Sequence, residues 1–308
     1  MGCSFCNCKE TVSNNLLSTC RPFEDQAQDS FAETLSNEEV KAISKIQRSL
    51  RSFFVQQLLR DLHRLLRSLP TELVGRLQAL PAKTLASGAL YLGEWQGTYQ
   101  TGFGIQIWPD GSKYCGQWYR GQAYGQGTFW EVAGSRYEGD WKEDKADGYG
   151  TCTLSDGSTY QGQWKDDLQE GHGVEHWPDG SKYEGSYAKG MKSGFGVYFW
   201  ANGSSYRGWW FNNKLEGVGQ YLWHDGRSYD GEWKDGMMHG NGEFRWPDGR
   251  KYTGEYYEDK KHGVGLLLST DGTEYSGEWL KDTQHGTGVL RFPDGLIEVG
   301  QWEKGVRI

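Results

Sequence analysis

One pattern, Tyr-x-Gly-x-Trp, returns every 23 residues from Tyr91 to the end of the chain and leaves little freedom in how that region folds. It begins as Tyr91-x-Gly93-x-Trp95 and continues at Tyr114, Tyr137 and Tyr160. It recurs at Tyr183, Tyr206, Tyr229, Tyr252 and Tyr275, with Tyr187 and Tyr256 in the Trp place of two copies. A degraded tenth copy, Glu298-x-Gly300-x-Trp302, closes the run and is expected to cap it. A strict period of this length means a repeat array, in which each unit buries its apolar face by stacking on its neighbours.

Within one copy, Tyr160-Gln161-Gly162-Gln163-Trp164 alternates with the period of a strand, which puts Tyr, Gly and Trp on one face. Lys165–Glu170 reads as a polar turn and Gly171–Trp177 as a second strand. Pro178-Asp179-Gly180 then turns the chain into the next copy. Asp-Gly or Asn-Gly recurs at that corner, as at Asp110-Gly111, Asn202-Gly203 and Asp248-Gly249, because these residues tolerate positive φ. The unit is therefore a β-hairpin. Ten of them predict an antiparallel meander of some twenty strands, roughly 90–100 Å long at about 4.8 Å per strand. Glycines inside strands weaken them, so their regular use here points to close packing of large rings over those positions, expected to come from neighbouring hairpins.

Tyr-x-Gly-x-Trp, then Gly-x-Gly, then aromatic-Pro-Asp-Gly in 23 residues resembles the MORN (membrane occupation and recognition nexus) repeat over about 220 residues. The resemblance implies a mainly β, elongated hairpin solenoid with an aromatic-lined groove. It also implies a scaffold that links membranes, cytoskeleton and partner proteins, some members binding phospholipid or a helical peptide.

Composition divides the chain. All 15 Trp, all 18 Tyr and 43 of 45 Gly lie from Gly88 onward. Residues 88–308 carry 22 basic and 32 acidic side chains, a net of −10, whereas residues 1–87 carry 11 and 9. An acidic array is a poor match for nucleic acid or anionic lipid, whose affinity for proteins comes from basic side chains meeting phosphates. No run of 18 apolar residues spans a membrane, no secretory signal opens the sequence, and the six Cys form no extracellular disulfide framework. A cytoplasmic protein is expected.

Three segments follow from this: a tail over 1–35, a basic helical region over 36–87 and the array over 88–308. The tail opens Met1-Gly2-Cys3, with Cys6 and Cys8 close behind. Gly2 is a myristoylation candidate although Cys6 stands where Ser or Thr is usual, and Cys3, Cys6 and Cys8 are palmitoylation candidates. Two acyl chains give stable anchoring where one does not. The alternatives are an incomplete three-thiolate metal set and a tail without function. Residues 9–35 read as a flexible spacer.

Ser36-Asn37-Glu38-Glu39 reads as a capping box ahead of an amphipathic helix that ends near Pro70, with a second short helix over 71–80. Seven basic residues against Asp61 make the helix suited to a membrane surface, a calmodulin-like protein or an acidic groove. Ile46-Gln47-x-x-x-Arg51 resembles the first half of an IQ motif. Packing of this helix against its own acidic, aromatic array is the other reading.

No P-loop, nucleophile elbow or His-Glu-x-x-His is present, and the His residues at 239, 262 and 285 follow the repeat spacing without companion ligands. The sequence therefore predicts no enzyme, cofactor or metal site. It predicts a membrane-tethered scaffold on the cytoplasmic face, with cytoplasm or cytoskeleton as the alternative setting. Trp118, Trp141, Trp164, Trp210 and Trp233 are expected to offer apolar contact to a helical partner segment, and Asp140, Glu232 and Glu278 to select a basic one.

Overall fold

The computed structural model describes residues 53, 55–69, 71–78 and 80–308. Gly2, Cys3, Cys6, Cys8, Ile46, Gln47 and Arg51 lie outside the described residues. The chain is mainly β, and it divides into two compact units, residues 1–146 and 147–308. That boundary falls inside the array.

In the first unit, α1 (55–68) stops just before Pro70 and α2 (Thr71–Gln78) follows at once. Then come β1 (Lys83–Thr84), β2 (Leu90–Gln96), β3 (Tyr99–Ile107), β4 (Lys113–Tyr119), β5 (Gln122–Trp130) and β6 (Arg136–Lys142), each antiparallel to the next. Strand β7 (Lys145–Thr153) carries the boundary. The second unit continues with β8 (Thr159–Lys165), β9 (Leu168–His176), β10 (Lys182–Ala188), β11 (Met191–Phe199), β12 (Ser205–Phe211), β13 (Lys214–Leu222) and β14 (Ser228–Lys234). It ends with β15 (Met237–Arg245), β16 (Lys251–Tyr257), β17 (Lys260–Leu268), β18 (Glu274–Leu280), β19 (Thr283–Arg291), β20 (Ile297–Glu303) and β21 (Val306–Arg307), again antiparallel neighbour to neighbour.

The turns inside the hairpins are shorter than the sequence suggested. Lys165–Glu170 is not a six-residue turn, because Asp166 and Asp167 alone turn the chain, at φ 48° and 68°, and Leu168 already begins β9. Positive φ at both central residues is the two-residue hairpin geometry that matches strand twist. Between hairpins the aromatic-Pro-Asp-Gly corner closes with Trp177 N–H donating to the Ser181 carbonyl at 3.0 Å, while Asp179 accepts from Ser181 N–H at 2.8 Å.

A sheet needs something to cover its apolar face, and here the repeat tyrosine does so. The Tyr160 ring lies over Gly162 and its cross-strand partner Gly173, where a Cβ would overlap the ring. The ring comes from the same hairpin, not from a neighbouring one as expected. Its hydroxyl donates to the Gln163 carbonyl at 2.9 Å, and Tyr183, Tyr206, Tyr229 and Tyr252 repeat the bond. Edge-to-face contacts then join successive rings: Tyr183 to Trp210 at 5.4 Å, Tyr206 to Trp233 at 5.6 Å and Tyr252 to Trp279 at 5.3 Å. Such pairs add about 0.5–1.5 kcal/mol each beyond burial. In the first unit Tyr91, Trp118, Tyr114 and Trp141 form the same zigzag.

The opposite face of the first hairpins is where the helices sit. Leu58, Leu62, Leu65, Leu66 and Leu77 pack against Leu90, Leu92, Ile105, Ile107 and Cys115. The basic helix therefore docks on its own array, but on aliphatic residues and not on the aromatic face. Arg76 pairs with Glu94 at 2.8 Å, while Arg60, Arg64 and Arg67 stay exposed. Burial pushes the Cys115 thiol up to about 12, so it is inert packing material. The far end closes differently. Trp302 is buried against Tyr275 at 5.2 Å, and Arg307, paired with Glu298 at 2.6 Å, covers Gly300 where the other copies place a tyrosine.

Two outcomes follow. Gly173→Ala, whose Cβ meets the Tyr160 ring, is expected to cost about 2 kcal/mol or more. Gly75→Ala, in α2 with open space around it, is expected to stabilise by about 0.5–1 kcal/mol. Denaturation midpoints of the intact chain read both, and equal effects would sink the packing argument. The second outcome concerns pH. Burial, as the leading cause, raises the phenols of Tyr91, Tyr114, Tyr160, Tyr183, Tyr206, Tyr229 and Tyr252 above their ordinary 10.0. Below pH 10.0 these groups are protonated folded or unfolded, and their contribution is fully present. Above it the unfolded chain ionises first, so stability is lost as pH rises. Melting temperature should fall steeply beyond that point, and the part of the tyrosinate absorbance that these buried rings contribute should appear together with unfolding rather than before it.

Candidate binding surface

Strand alternation separates the residues expected to form one site. Asp140, Glu232 and Glu278 stand directly before Trp141, Trp233 and Trp279, so each acidic side chain and its neighbouring ring leave opposite faces of the sheet. Trp118, Trp141, Trp164, Trp210 and Trp233 are between 3 and 7 % exposed. Their indole N–H groups donate to glycine carbonyls on the adjacent strand, as from Trp233 to Gly219 at 3.0 Å and from Trp164 to Gly150 at 3.1 Å. The expectation that these five rings offer open apolar contact is corrected: they are the interior.

The acidic residues have a structural duty as well. Glu232 accepts the Asn241 backbone N–H at 2.8 Å and Glu278 that of Thr287 at 3.0 Å, on the strand where the register slips by a bulge. Asp140 accepts from the Gln126 side chain. Glu232 and Glu278 are exposed and Asp140 is half-buried, so charge remains at that face.

What the aromatic face does present is a second row of rings at the corners between hairpins. In the second unit Trp177, Tyr198, Trp200, Tyr221, Trp223, Phe244 and Trp246 follow one another at 5.3, 4.5, 4.9, 4.4, 5.3 and 4.5 Å between centroids. All but Phe244 are half-buried. Unlike the interior Trp residues, the four Trp of this row donate their indole N–H to no described group. The signal was in the sequence: Trp177, Trp200, Trp223 and Trp246 put Trp two residues ahead of the Asp-Gly or Asn-Gly corner in four consecutive repeats.

Cations flank the row. Arg227 and Arg250 lie over Trp223 and Trp246 at 5.5 and 5.1 Å, each tied to its corner aspartate. At the other end Lys192 lies 4.8 Å from Trp177 and pairs with Glu175 at 3.2 Å, the two side chains 15 and 5 % exposed. Tyr187, which replaces the repeat Trp, donates its hydroxyl to the same carboxylate at 2.8 Å. Burial next to Glu175 pushes that phenol far up. Among the described residues no cluster of His, Cys, Asp and Glu has a metal-holding arrangement, and no helix is long and apolar enough to cross a membrane.

Fold and surface together define a hairpin-repeat array, a class that acts as scaffold or binding module. The family model for the MORN repeat matches nine consecutive segments, 91–113, 114–134, 137–159, 160–182, 183–205, 206–226, 229–249, 252–274 and 275–297. The chain belongs to the MORN-repeat family. The closing copy at 298–302 lies beyond the matched residues.

Comparison with curated proteins finds no match. Among solved structures the chain is similar to the wild-type TCP10 domain of Danio rerio CPAP, at 11% identity over 72% of this chain and 100% of that one, TM-score 0.37. It is also similar to the TCP domain of Drosophila melanogaster SAS-4 (dCPAP) in complex with a proline-rich motif of Ana2 (dSTIL), at 14% identity over 51% and 86%, TM-score 0.32. Scores this low carry no functional weight.

Breaking the buried pair tests the electrostatics of this face. Glu175→Gln leaves Lys192 among rings without its counter-charge and is expected to destabilise by about 3 kcal/mol. Combining Glu175→Leu with Lys192→Met and Tyr187→Phe, which also removes the hydroxyl that Glu175 accepts from, should recover most of that loss in thermal denaturation. Equal damage from the single and the triple variant would show that packing, not charge, sets the cost.

Proposed function

We propose that this protein is a non-catalytic, membrane-tethered scaffold that recruits a protein partner through the exposed corner rings of its MORN array. The observation that carries the reading is the half-buried row from Trp177 to Trp246, with four indole donors left free. Free donors on aromatic rings give both apolar area and hydrogen bonds to a partner backbone, the combination that makes Trp frequent at interfaces.

Tethering rests on the first residues and on one structural feature. Acylation at Gly2 with Cys3, Cys6 or Cys8 would supply the hydrophobic anchor. The docked helix α1 keeps Arg60, Arg64 and Arg67 exposed on the side away from its buried leucines, which suits an anionic leaflet as a second signal. A calmodulin-like partner for 40–69 would have to pull Leu58, Leu62, Leu65 and Leu66 out of their core, so this second reading is the weaker one.

The test uses the full chain. Partner capture from cell extract should be lost with Trp200→Ala plus Trp223→Ala while the melting curve stays cooperative; capture of an unchanged set of proteins removes the corner rings from the account. Membrane fractionation of wild type beside Gly2→Ala and Cys3→Ser reads the tether. Wild type should pellet and both variants should become soluble. Identical partition of all three would rule acyl anchoring out.

A further inference from the structure

The second unit contains the same lysine site twice, and only one copy is complete. Lys192 and Lys261 are three repeats apart, each opposite a tyrosine that replaces the repeat Trp, Tyr187 and Tyr256. Each also donates its backbone N–H to a turn side chain, Asn213 at 2.8 Å and Asp282 at 2.9 Å. In the first copy Glu175 pairs with the lysine and accepts the tyrosine hydroxyl.

In the second copy the residue at the Glu175 position is Phe244, and both polar groups lose their partner. The Tyr256 side chain is 5 % exposed and its hydroxyl is buried without a hydrogen bond among the described residues. Lys261 lies 5.3, 5.5 and 5.4 Å from the rings of Trp246, Tyr252 and Trp279, and no described carboxylate is within ion-pair distance of its ammonium group. Asp282 and Arg250 are the charged groups near it, and Arg250 is already tied to Asp248. A half-buried cation that has lost solvent and gained no counter-ion is where an incoming carboxylate gains most.

The corner row says what would carry that carboxylate. Three residues of polyproline II advance about 9.3 Å and turn once, so every third side chain returns to the same side. The 4.9 and 4.4 Å steps from Trp200 through Tyr221 to Trp223 span no more than that distance. The 5.3 and 4.5 Å steps on either side span at most slightly more. Polyproline II has no internal hydrogen bonds, and its carbonyls are free to accept from the four unpaired indoles. The array's net −10 does not forbid an acidic ligand, since charges beyond about 8 Å are largely screened at physiological salt.

We propose that Lys261 and Tyr256 form a receptor for a carboxylate carried on a proline-rich, extended segment of a partner protein that lies along Trp177–Trp246. This deepens the recruiting role proposed above and rests on it. The probe is a blocked peptide of four Pro-Pro-Glu units, titrated calorimetrically into the full-length protein beside its Pro-Pro-Gln counterpart. The Glu peptide is expected to bind at least about tenfold more tightly than the Gln peptide. Lys261→Met should erase that difference and Lys261→Arg should retain most of it.

Melting keeps the result apart from misfolding. Lys261→Met should leave the melting temperature equal or higher, because it removes an unpaired charge, while Lys192→Met should lower it by stranding Glu175. No binding by wild type, equal binding of the two peptides, or binding unchanged in Lys261→Met would overturn the proposal. If Trp200 and Trp223 still govern partner capture in that event, the scaffold reading stands and only the carboxylate receptor falls.

Discussion

The structure depends on a tyrosine ring lying flat over two facing glycines. Tyr91, Tyr114, Tyr160, Tyr183, Tyr206, Tyr229, Tyr252 and Tyr275 each supply such a ring, and the spacing of the glycines follows from giving it room. Any side chain at Gly162 or Gly173 would occupy the space of Tyr160. The hydroxyl then reaches the carbonyl three residues on, which fixes the ring's tilt and leaves its face open to the indole of the next copy. A two-layer protein buries its sheet against a second layer. Here the second layer is a single file of aromatic rings, each edge against the next face, with a large apolar area per residue and few rotatable bonds to freeze.

That economy explains the composition and also the sequence's blind spot. The 23-residue period, the Gly pairs and the corner dipeptides were all legible, because each is a local geometric demand with a narrow choice of residue. The two-residue turns were equally written, in the recurring Gly, Asp or Asn at positions such as Gly121, Asp144, Asp167 and Asn213. What the pattern hid was depth. Trp164 and Trp177 are both aromatic and both periodic, but one bonds a glycine carbonyl in the interior and the other keeps its donor free at a corner. Periodicity gives the face of a strand, not how far along it the cover extends. The pairing of Glu232 with Trp233 in one expected site failed on a simpler point, since adjacent residues of a strand point to opposite faces.

The docking of the helices shows the same logic on the other face. Most copies carry polar or charged residues opposite the tyrosine side, such as Gln161, Glu184 and Thr253, and need no cover there. The first copies instead carry Leu90, Leu92, Ile105 and Ile107, and it is these that α1 and α2 bury. Charge complementarity between a basic helix and an acidic array was therefore the weaker guide. Screened surface charges contribute little, whereas five buried leucines contribute on the order of 1.5–3 kcal/mol each. With its apolar stripe spent on the array, α1 has only its arginine face left for any other contact.

Substitution of Tyr for Trp at 187 and 256 departs from the repeat's own rule and brings a hydroxyl inside. A Trp there would donate to a glycine carbonyl and need nothing further. A Tyr hydroxyl falls elsewhere and must find an acceptor, or it carries the cost of burial alone, about 1–3 kcal/mol. At Tyr187 a glutamate and a lysine were recruited with it, and the three groups satisfy one another. At Tyr256 the lysine is present and the glutamate is not. Stability alone would favour Trp at 256 and an apolar residue at 261, as other copies have with Leu215 and Met238. Retaining an unpaired lysine beside an unpaired hydroxyl, next to the last ring of an open aromatic row, makes sense if the missing charge arrives from another molecule.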